Sequence, residues 1–331
     1  MNKEDGFYFQ KPKSLFLHSD LFSTCLHLCS LTNSDIIVII RTMPFDMIKK
    51  VALAGASGPV GEAILAELLK SELFDITILT RDSTTHQSLF PPAVKVIQVD
   101  YTSLPSLTHA LSDQDALVSA ISPTAIPAQK LLIDACIQAH VHRFLPSEYS
   151  YDFYSPRIRA HPTPLSSSKI SIEEYLQAQA TQTSLSYTLL FCNPILELSL
   201  KNNLFFHFAN RTAILNPQTS HAPISLTTLP SLGKAVRRIL THPRETANRP
   251  IRIKDIDISH QRLLSIAQSL TPGQEWNIHA EAESPSEADF AFGGKYERVH
   301  NSVFGIKEMT VADLEDLVRV TLGGAEKGDR P

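Results

Sequence analysis

Gly55, Gly58 and Gly61 stand at three-residue intervals in KKVALAGASGPVGEAILAELLKSELFDITILTR, which runs from Lys49 to Arg81. A spacing of this kind serves the cradling of a dinucleotide pyrophosphate. The first glycine permits a tight turn, the second lets backbone N–H groups approach phosphate, and the third lets a helix pack closely on a strand. Ala56, Ser57, Pro59 and Val60 complete the loop, and the helix opening at about Gly58 aims its positive end at the phosphates. Twenty positions beyond Gly61 comes Arg81, at the place where such folds read the ribose. An acid there accepts from both ribose hydroxyls, whereas an arginine offers a charged fork to a 2′-phosphate, so the expected cofactor is NADP(H). The neighbouring Asp82 opposes this unless its carboxylate turns outward, and a solvated Arg-Asp loop is the plainer alternative.

Three glycines alone specify little, so the elements around them decide. Val51 to Ala54 is a continuous apolar run of the kind buried on both faces of a parallel sheet. Val60, Ile64, Leu65, Leu68 and Leu69 then recur at helical spacing. Further strands are expected at Ile76–Leu79, Val94–Val99, Ala116–Ala120, Arg143–Leu145 and Leu185–Phe191. Helices are expected around Leu104–Leu111, around Leu131–Cys136, and from near Ser166 to about Ala180. This alternation predicts an α/β fold, an NAD(P)-binding Rossmann doubly wound parallel sheet.

In that architecture ligands lie at the carboxyl ends of the strands. Asp100 is then placed either to meet the adenine edge or simply to cap its own loop, and Ser122 and Pro123 to pass near the nicotinamide ribose. Pro146, Ser147 and Glu148 would shape the floor of the site. Phe191, Asn193, Pro194, Ile195 and Leu196 read equally as substrate pocket and as a plain core strand end. Beyond them, helices around 229–240, 260–270 and 311–322 and short strands at 250–253 and 276–279 suggest a smaller lobe that closes over the cofactor. The expected organisation is an N-terminal extension over 1–46, an NADP-binding domain over 47–195, a smaller C-terminal substrate-binding lobe over 196–325 intertwined with it, and a tail over 326–331.

The formal charge of -4 and pI near 6.3 give no basic field for nucleic acid and no polybasic membrane patch, so a small-molecule partner is expected. Cys25, Cys29, Cys136 and Cys192 lack the spacing of a zinc site or a disulfide frame, so no metal is expected and a reducing, cytoplasmic compartment is. Leu21 to Ile40 is apolar but broken by Ser23, Thr24, His27, Ser30, Asn33 and Asp35, which makes a poor membrane span and a poor signal peptide. Residues 1–46 are expected to be dispensable or wrongly assigned, with Met47 as an alternative start and a membrane-touching segment as the competing view.

GASGPVG followed by ILTR, RFLPSEY at 143–149 and SSSKISIEEYL at 166–176 resemble the NmrA-like, isoflavone reductase-like branch of the atypical short-chain dehydrogenases. TTLPSLGKAVRRILTHPRETANRPIRI at 227–253 is similar to the second half of that family, especially its fungal members, and the likeness spans roughly 48–325. The resemblance implies NADPH binding and reduction of phenylpropanoid-type, quinone-like or polyketide-derived substrates in specialised metabolism; other members are redox-sensing regulators without turnover. It also implies a functional Lys169, in the first turn of the helix after the fifth strand, holding the nicotinamide ribose and shuttling a proton. The Tyr-x-x-x-Lys pair of common short-chain dehydrogenases is absent, with Leu165 standing four positions before Lys169. His161, Tyr149, Tyr151 and Tyr154 are the candidates for a second acid. The leading expectation is hydride delivery from NADPH to a ketone, enone or related electrophile. A sensor of NADP(H) and a non-redox isomerase or cyclase are the alternatives.

Overall fold

β1 (Lys50–Ala54) forms where the chain has nothing to offer solvent, and its last four residues are buried. Val51 and Leu53 point into one apolar cluster while Ala52 and Ala54 point into another, so both faces of the strand are covered. The computed structural model describes residues 47–82, 89–160, 162–280 and 294–323. The extension before residue 47 with Cys25 and Cys29, residue His161 and the tail lie outside the described residues.

α1 (Pro59–Ser71), β2 (Asp75–Thr80), β3 (Lys95–Gln98), α2 (Leu104–Leu111) and β4 (Ala116–Ser119) follow in order. A 3-10 turn (Pro123–Ala128) leads into α3 (Gln129–Gln138), β5 (Arg143–Leu145), α4 (Pro156–Ala160), α5 (Pro164–Gln182) and β6 (Ser186–Phe191). The rest comprises α6 (Leu196–Lys201), β7 (Thr212–Leu215), β8 (Pro223–Leu226), α7 (Leu229–Thr241), α8 (Pro243–Thr246) and β9 (Arg249–Arg252). β10 (Ile256–Ser259), α9 (His260–Ser269), β11 (Asn277–Ala280), α10 (Asn301–Phe304) and α11 (Val311–Gly323) complete the described elements. Seven parallel strands make the main sheet in the order β3-β2-β1-β4-β5-β6-β9. The order reverses direction between β1 and β4, and the crevice outside their carboxyl ends is where such a sheet receives a ligand.

α5 begins earlier than the sequence suggests. Pro164 occupies the first turn, where a missing N–H costs nothing, and Thr163 and Ser166 cap each other's backbone N–H groups at 3.2 and 2.8 Å. Lys169 therefore lies in the second turn of the helix rather than the first. Its buried face runs Ser166, Lys169, Ile172, Glu173 and Leu176, a helical repeat in which two charged residues take core positions.

The division expected at residue 195 is not a clean one. β9 pairs with β6 as the seventh strand of the main sheet. α7 places Leu232, Val236, Ile239 and Leu240 in the same apolar cluster as Ile64, Leu65 and Leu68 of α1. The two helices touch at Gly233, where a Cβ would stand 2.6 Å from the Ala63 carbonyl oxygen. A separate cluster of Leu196, Phe206, Leu226, Ile256, Leu264 and Leu314 forms a smaller lobe. That lobe is interrupted in sequence by residues 229–252, which return to the sheet. Arg143 fastens the join: it donates to Ser186 Oγ (2.9 Å), Thr188 Oγ1 (3.0 Å) and Thr246 Oγ1 (3.1 Å), tying β5, β6 and α8 together.

Candidate functional site

Gly55 ends β1 at φ +81, and a Cβ there would meet the Ala120 carbonyl oxygen at 2.3 Å. β1 and β4 thus converge where no side chain fits. Gly61 meets the turn from the helix side, where a Cβ would lie 2.1 Å from the Gly55 carbonyl oxygen. Gly58 is different: among the described residues beyond its chain neighbours, the nearest atom to its hypothetical Cβ is 3.7 Å away, so their packing does not demand glycine there. It faces a cleft of about 770 Å³, and no side chain caps the first turn of α1 behind it. An open glycine edge beneath an uncapped helix N-terminus is a fitting seat for a phosphate.

The cleft follows the carboxyl edge of the sheet. Gly55, Ala56, Ser57, Gly58, Pro59 and Val60 form one wall, and Thr80 and Arg81 at the end of β2 form the far end beside Phe90 and Tyr101. Ile121 to Ile126 and Ala128 line the opposite wall, and Ser147, Tyr149, Ser150, Leu165 and Lys169 close the near end with Ile195, Leu198 and Asn202. Among the described residues of this lining the charged ones are Arg81 and Lys169, with no carboxylate. Asp82 follows Arg81 but is not part of the wall, and its N–H is held by Thr80 Oγ1 at 3.3 Å. A cleft of this size with cations only suits a ligand bearing several phosphates.

Lys169 is 6% exposed. Its Nζ donates to the Glu148 carbonyl oxygen at 2.7 Å and to Ser150 Oγ at 3.0 Å, and it stands 5.6 Å from the centre of the Phe153 ring. Burial pushes its amine below the ordinary lysine range, while the charges of Glu148, Cys192 and Glu173 pull it back up. The loop that offers these acceptors is positioned by Gln129, whose Oε1 accepts from Ser147 N at 2.7 Å, and by Ser147 Oγ, which donates to the Ile121 carbonyl at 2.9 Å. Ser122 lines the cleft and its hydroxyl lies 3.0 Å from Thr124 Oγ1.

Other expected residues sit elsewhere. Asp100 is exposed and satisfied locally: its Oδ1 accepts from Thr102 N (2.8 Å) and Thr102 Oγ1 (2.7 Å), which holds its carboxyl below the usual range. It is a loop cap, and its neighbour Tyr101 is the residue that reaches the cleft, with its hydroxyl on the Leu79 carbonyl at 3.0 Å. Gly61 contributes by packing and not by lining. Of the pocket candidates only Ile195 lines the cleft. Phe191 is fully buried against the edges of Phe153 and Tyr154, Pro194 is buried behind the wall, and Leu196 belongs to the core of the smaller lobe. Asn193 turns the chain at φ +52, with its N–H received by Tyr296 Oη (3.0 Å) and its amide by the Gly294 carbonyl (2.7 Å).

Among the second-acid candidates, Tyr149 lines the cleft with a buried hydroxyl that has no hydrogen-bond partner among the described residues. Burial pushes its phenol far up, as it does that of Tyr151, which is outside the lining. Tyr154 is half-exposed, accepts from Gln177 Nε2, and has its phenol pushed up to about 12, chiefly by burial. Leu165, at the position a tyrosine takes in a Tyr-x-x-x-Lys pair, is an apolar part of the wall. Sequence reasoning passed over Tyr101, Leu198 and Asn202, because only the return of α6 over the sheet edge brings the last two to the cleft.

The parallel sheet, the glycine turn at its switch point and the helices on both faces define a Rossmann-type α/β protein. Residues 47–272 match the NmrA-like family, and the chain belongs to it. The oxidoreductase aprR of Aspergillus flavus is 33% identical over 232 residues, covering 69% of this chain and 76% of the relative. The NADPH-dependent quinone oxidoreductase QOR2 of Escherichia coli, solved with NADPH, has a similar fold with a TM-score of 0.63 at 18% identity over 80% of this chain and 98% of that one. AtPrR2, solved with NADP+ and (+)-pinoresinol, has a TM-score of 0.62 at 18% identity over 80% of this chain and 92% of that one.

Proposed function

We propose that this protein is an NADPH-dependent oxidoreductase that reduces a ketone, enone or related electrophile of an aromatic or polyketide-type intermediate in specialised metabolism. The observation that carries the reading is Lys169: a buried amine in the wall of the cleft, held by two neutral oxygens, with no carboxylate among the described residues of the lining. The oxidoreductase name of the fungal relative supports the reaction class, and the neighbours named as a quinone oxidoreductase and solved with (+)-pinoresinol support an aromatic acceptor.

NADPH, when bound, supplies the hydride. Gly58 and the first turn of α1 would hold its pyrophosphate, and Arg81 its 2′-phosphate. Lys169 gives a proton to the oxygen on which negative charge develops and recovers one from solvent, so that hydride and proton together reduce the carbonyl. Leu165, Ile195 and Leu198 form an apolar surface that orients a planar substrate and excludes water, while Asn202 offers it a polar edge. Tyr149 presents the unpartnered hydroxyl nearest to this role in the wall.

Incubation of the purified protein with NADPH and a panel of quinones, enones and aromatic ketones tests the reading by loss of NADPH absorbance and by product mass. Turnover is expected, with Lys169→Ala losing at least about a hundredfold in kcat while NADPH affinity stays within a few-fold. A second reading, an NADP(H) sensor, is favoured by Leu165 in place of a tyrosine. Tight binding without turnover across the panel would establish that reading instead. Product formed at constant NADPH would point to isomerase or cyclase chemistry.

A further inference from the structure

Among the described residues β9 is the outer strand of the main sheet, and its far edge carries backbone groups that a further strand could pair with. Residues 294–306 cover that edge with two side chains. The Arg252 N–H donates to His300 Nδ1 at 3.0 Å, and the His300 N–H donates to the Arg252 carbonyl at 2.8 Å. Two residues on, the Lys254 N–H donates to Asn301 Oδ1 at 3.2 Å, and Asn301 Nδ2 donates to the Lys254 carbonyl at 2.6 Å. Consecutive residues thus clasp alternate positions of the chain, one with an imidazole and the other with an amide. They differ in one respect: the amide is indifferent to pH and the imidazole is not.

A backbone N–H can only donate, so Nδ1 receives Arg252 only while it carries no proton. Once protonated, Nδ1 would face that N–H donor to donor, and the Arg252 carbonyl, 3.4 Å away, already accepts from the His300 N–H. The second ring nitrogen offers no relief, because Nε2 stands 3.1 Å from Arg249 Nη2, another obligate donor. The charged groups on the elements packed here are Arg249 and Arg252 of β9, Arg238 of α7, which donates to the Val303 carbonyl at 3.2 Å, and the exposed Glu297 and Arg298 of the segment itself. Asp152 is engaged by Arg252 Nε at 2.5 Å. Burial, and then the charges of Arg249 and Arg252, hold the ring below the ordinary histidine range against the pull of the Arg252 carbonyl.

The same segment reaches the wall of the cleft. Tyr296 N–H donates to Ser225 Oγ at 2.9 Å and Ser225 N–H to the Gly294 carbonyl at 3.2 Å, which ties the segment to β8. Tyr296 Oη and the Gly294 carbonyl in turn receive the Asn193 N–H and side-chain amide at 3.0 and 2.7 Å. Asn193 is the turn at φ +52 that leads to Ile195 in the lining. We propose that His300 is a pH-sensitive latch: neutral, it clasps residues 294–306 to the edge of β9 and so braces the Asn193 turn beside the cleft; protonated, it lets go and the turn loosens. A ring that is neutral when clasped binds its proton less tightly than a free one. The clasp therefore contributes fully above the free histidine value of about 6.5, and its contribution is lost as pH falls through the lower, clasped value. The latch requires nothing of the reaction assigned to the cleft.

Backbone amide exchange of the full-length protein, followed by peptide mass spectrometry at about pH 7.5 and about pH 5 and corrected for the chemical exchange rate, tests this without ligand or turnover. Protection of peptides covering 294–306 and 190–198 is expected to fall about three- to tenfold at the lower pH, the worth of up to one unit of histidine shift, while β1 peptides hold. His300→Asn is expected to abolish the fall, since its amide oxygen can take the place of Nδ1 as that of Asn301 does one residue on. His300→Ala should leave both peptides less protected at either pH. Wild-type protein whose 294–306 protection does not depend on pH overturns the proposal, and so does a fall that persists in folded His300→Asn. Loosening confined to 294–306, with 190–198 unmoved, overturns the bracing of Asn193. An equal loss in β1 would mark global acid unfolding and overturns a local latch.

Discussion

Arg81 closes β2 at the far end of the cleft, opposite Lys169, and its charge reaches the Tyr101 phenol beside it. A guanidinium in that place gains from a 2′-phosphate and nothing from a bare ribose. Arg81→Ala is expected to raise the dissociation constant for NADPH by about 10- to 100-fold, the worth of a charge-assisted hydrogen bond, and to change that for NADH little. Calorimetric titration of both cofactors measures this, and equal losses would refute the assignment. At this scale the sequence was most informative where the backbone itself sets the demand. Gly55 and Gly61 answer to contacts within a single strand-turn-helix unit, so their spacing shows in the chain. The burial of Glu148 and Glu173 does not show, because an acid is read as solvated until the chain is packed around it.

At the level of elements, α1 is held from behind by α7, and Gly233 sets how closely they approach. A methyl group there would press on the Ala63 carbonyl at 2.6 Å and on Glu67 Cγ at 3.0 Å, forcing the helices apart. Gly233→Ala is therefore expected to destabilise the protein by about 1–2 kcal/mol, the overpacking cost less the gain in helix propensity. Urea unfolding measures it, and unchanged or increased stability would show that the contact is looser than described. The five strands after β1 up to β6 were legible from apolar runs bounded by turns, as was each long helix. The start of α5 was not: it is read near Ser166 until Thr163 and Pro164 are recognised as a cap and first turn. The partner of β9 was hidden for another reason: pairing with β6 joins segments some sixty residues apart, and Asn248 Oδ1 accepting from Tyr187 N at 3.0 Å is a long-range contact.

For the whole molecule, the interleaving of sheet and smaller lobe decides what can fold alone. A chain cut to residues 47–195 would lose α7 and β9, leaving Ile64, Leu65 and Leu68 of α1 and one edge of β6 uncovered. Each such side chain forfeits roughly 1.5–3 kcal/mol of burial. The fragment is expected to aggregate or to lack a cooperative unfolding transition, whereas residues 47–331 should show one. Circular dichroism melts of the two compare them directly, and a soluble, NADPH-binding fragment would contradict the interleaving. Among the described residues no helix is long and apolar enough to cross a membrane.

α6 belongs to two neighbourhoods at once. Leu198 and Asn202 reach the cleft, while Leu196 and Leu200 are rooted in the core of the smaller lobe with Phe206, Ile256 and Leu314. The glycine turn and Arg81 are rooted in the sheet and owe nothing to that core. Descendants of this chain can therefore acquire a new acceptor by altering one helix and its bedding while inheriting the electron donor unchanged, which makes the smaller lobe the place where divergence among relatives is cheapest.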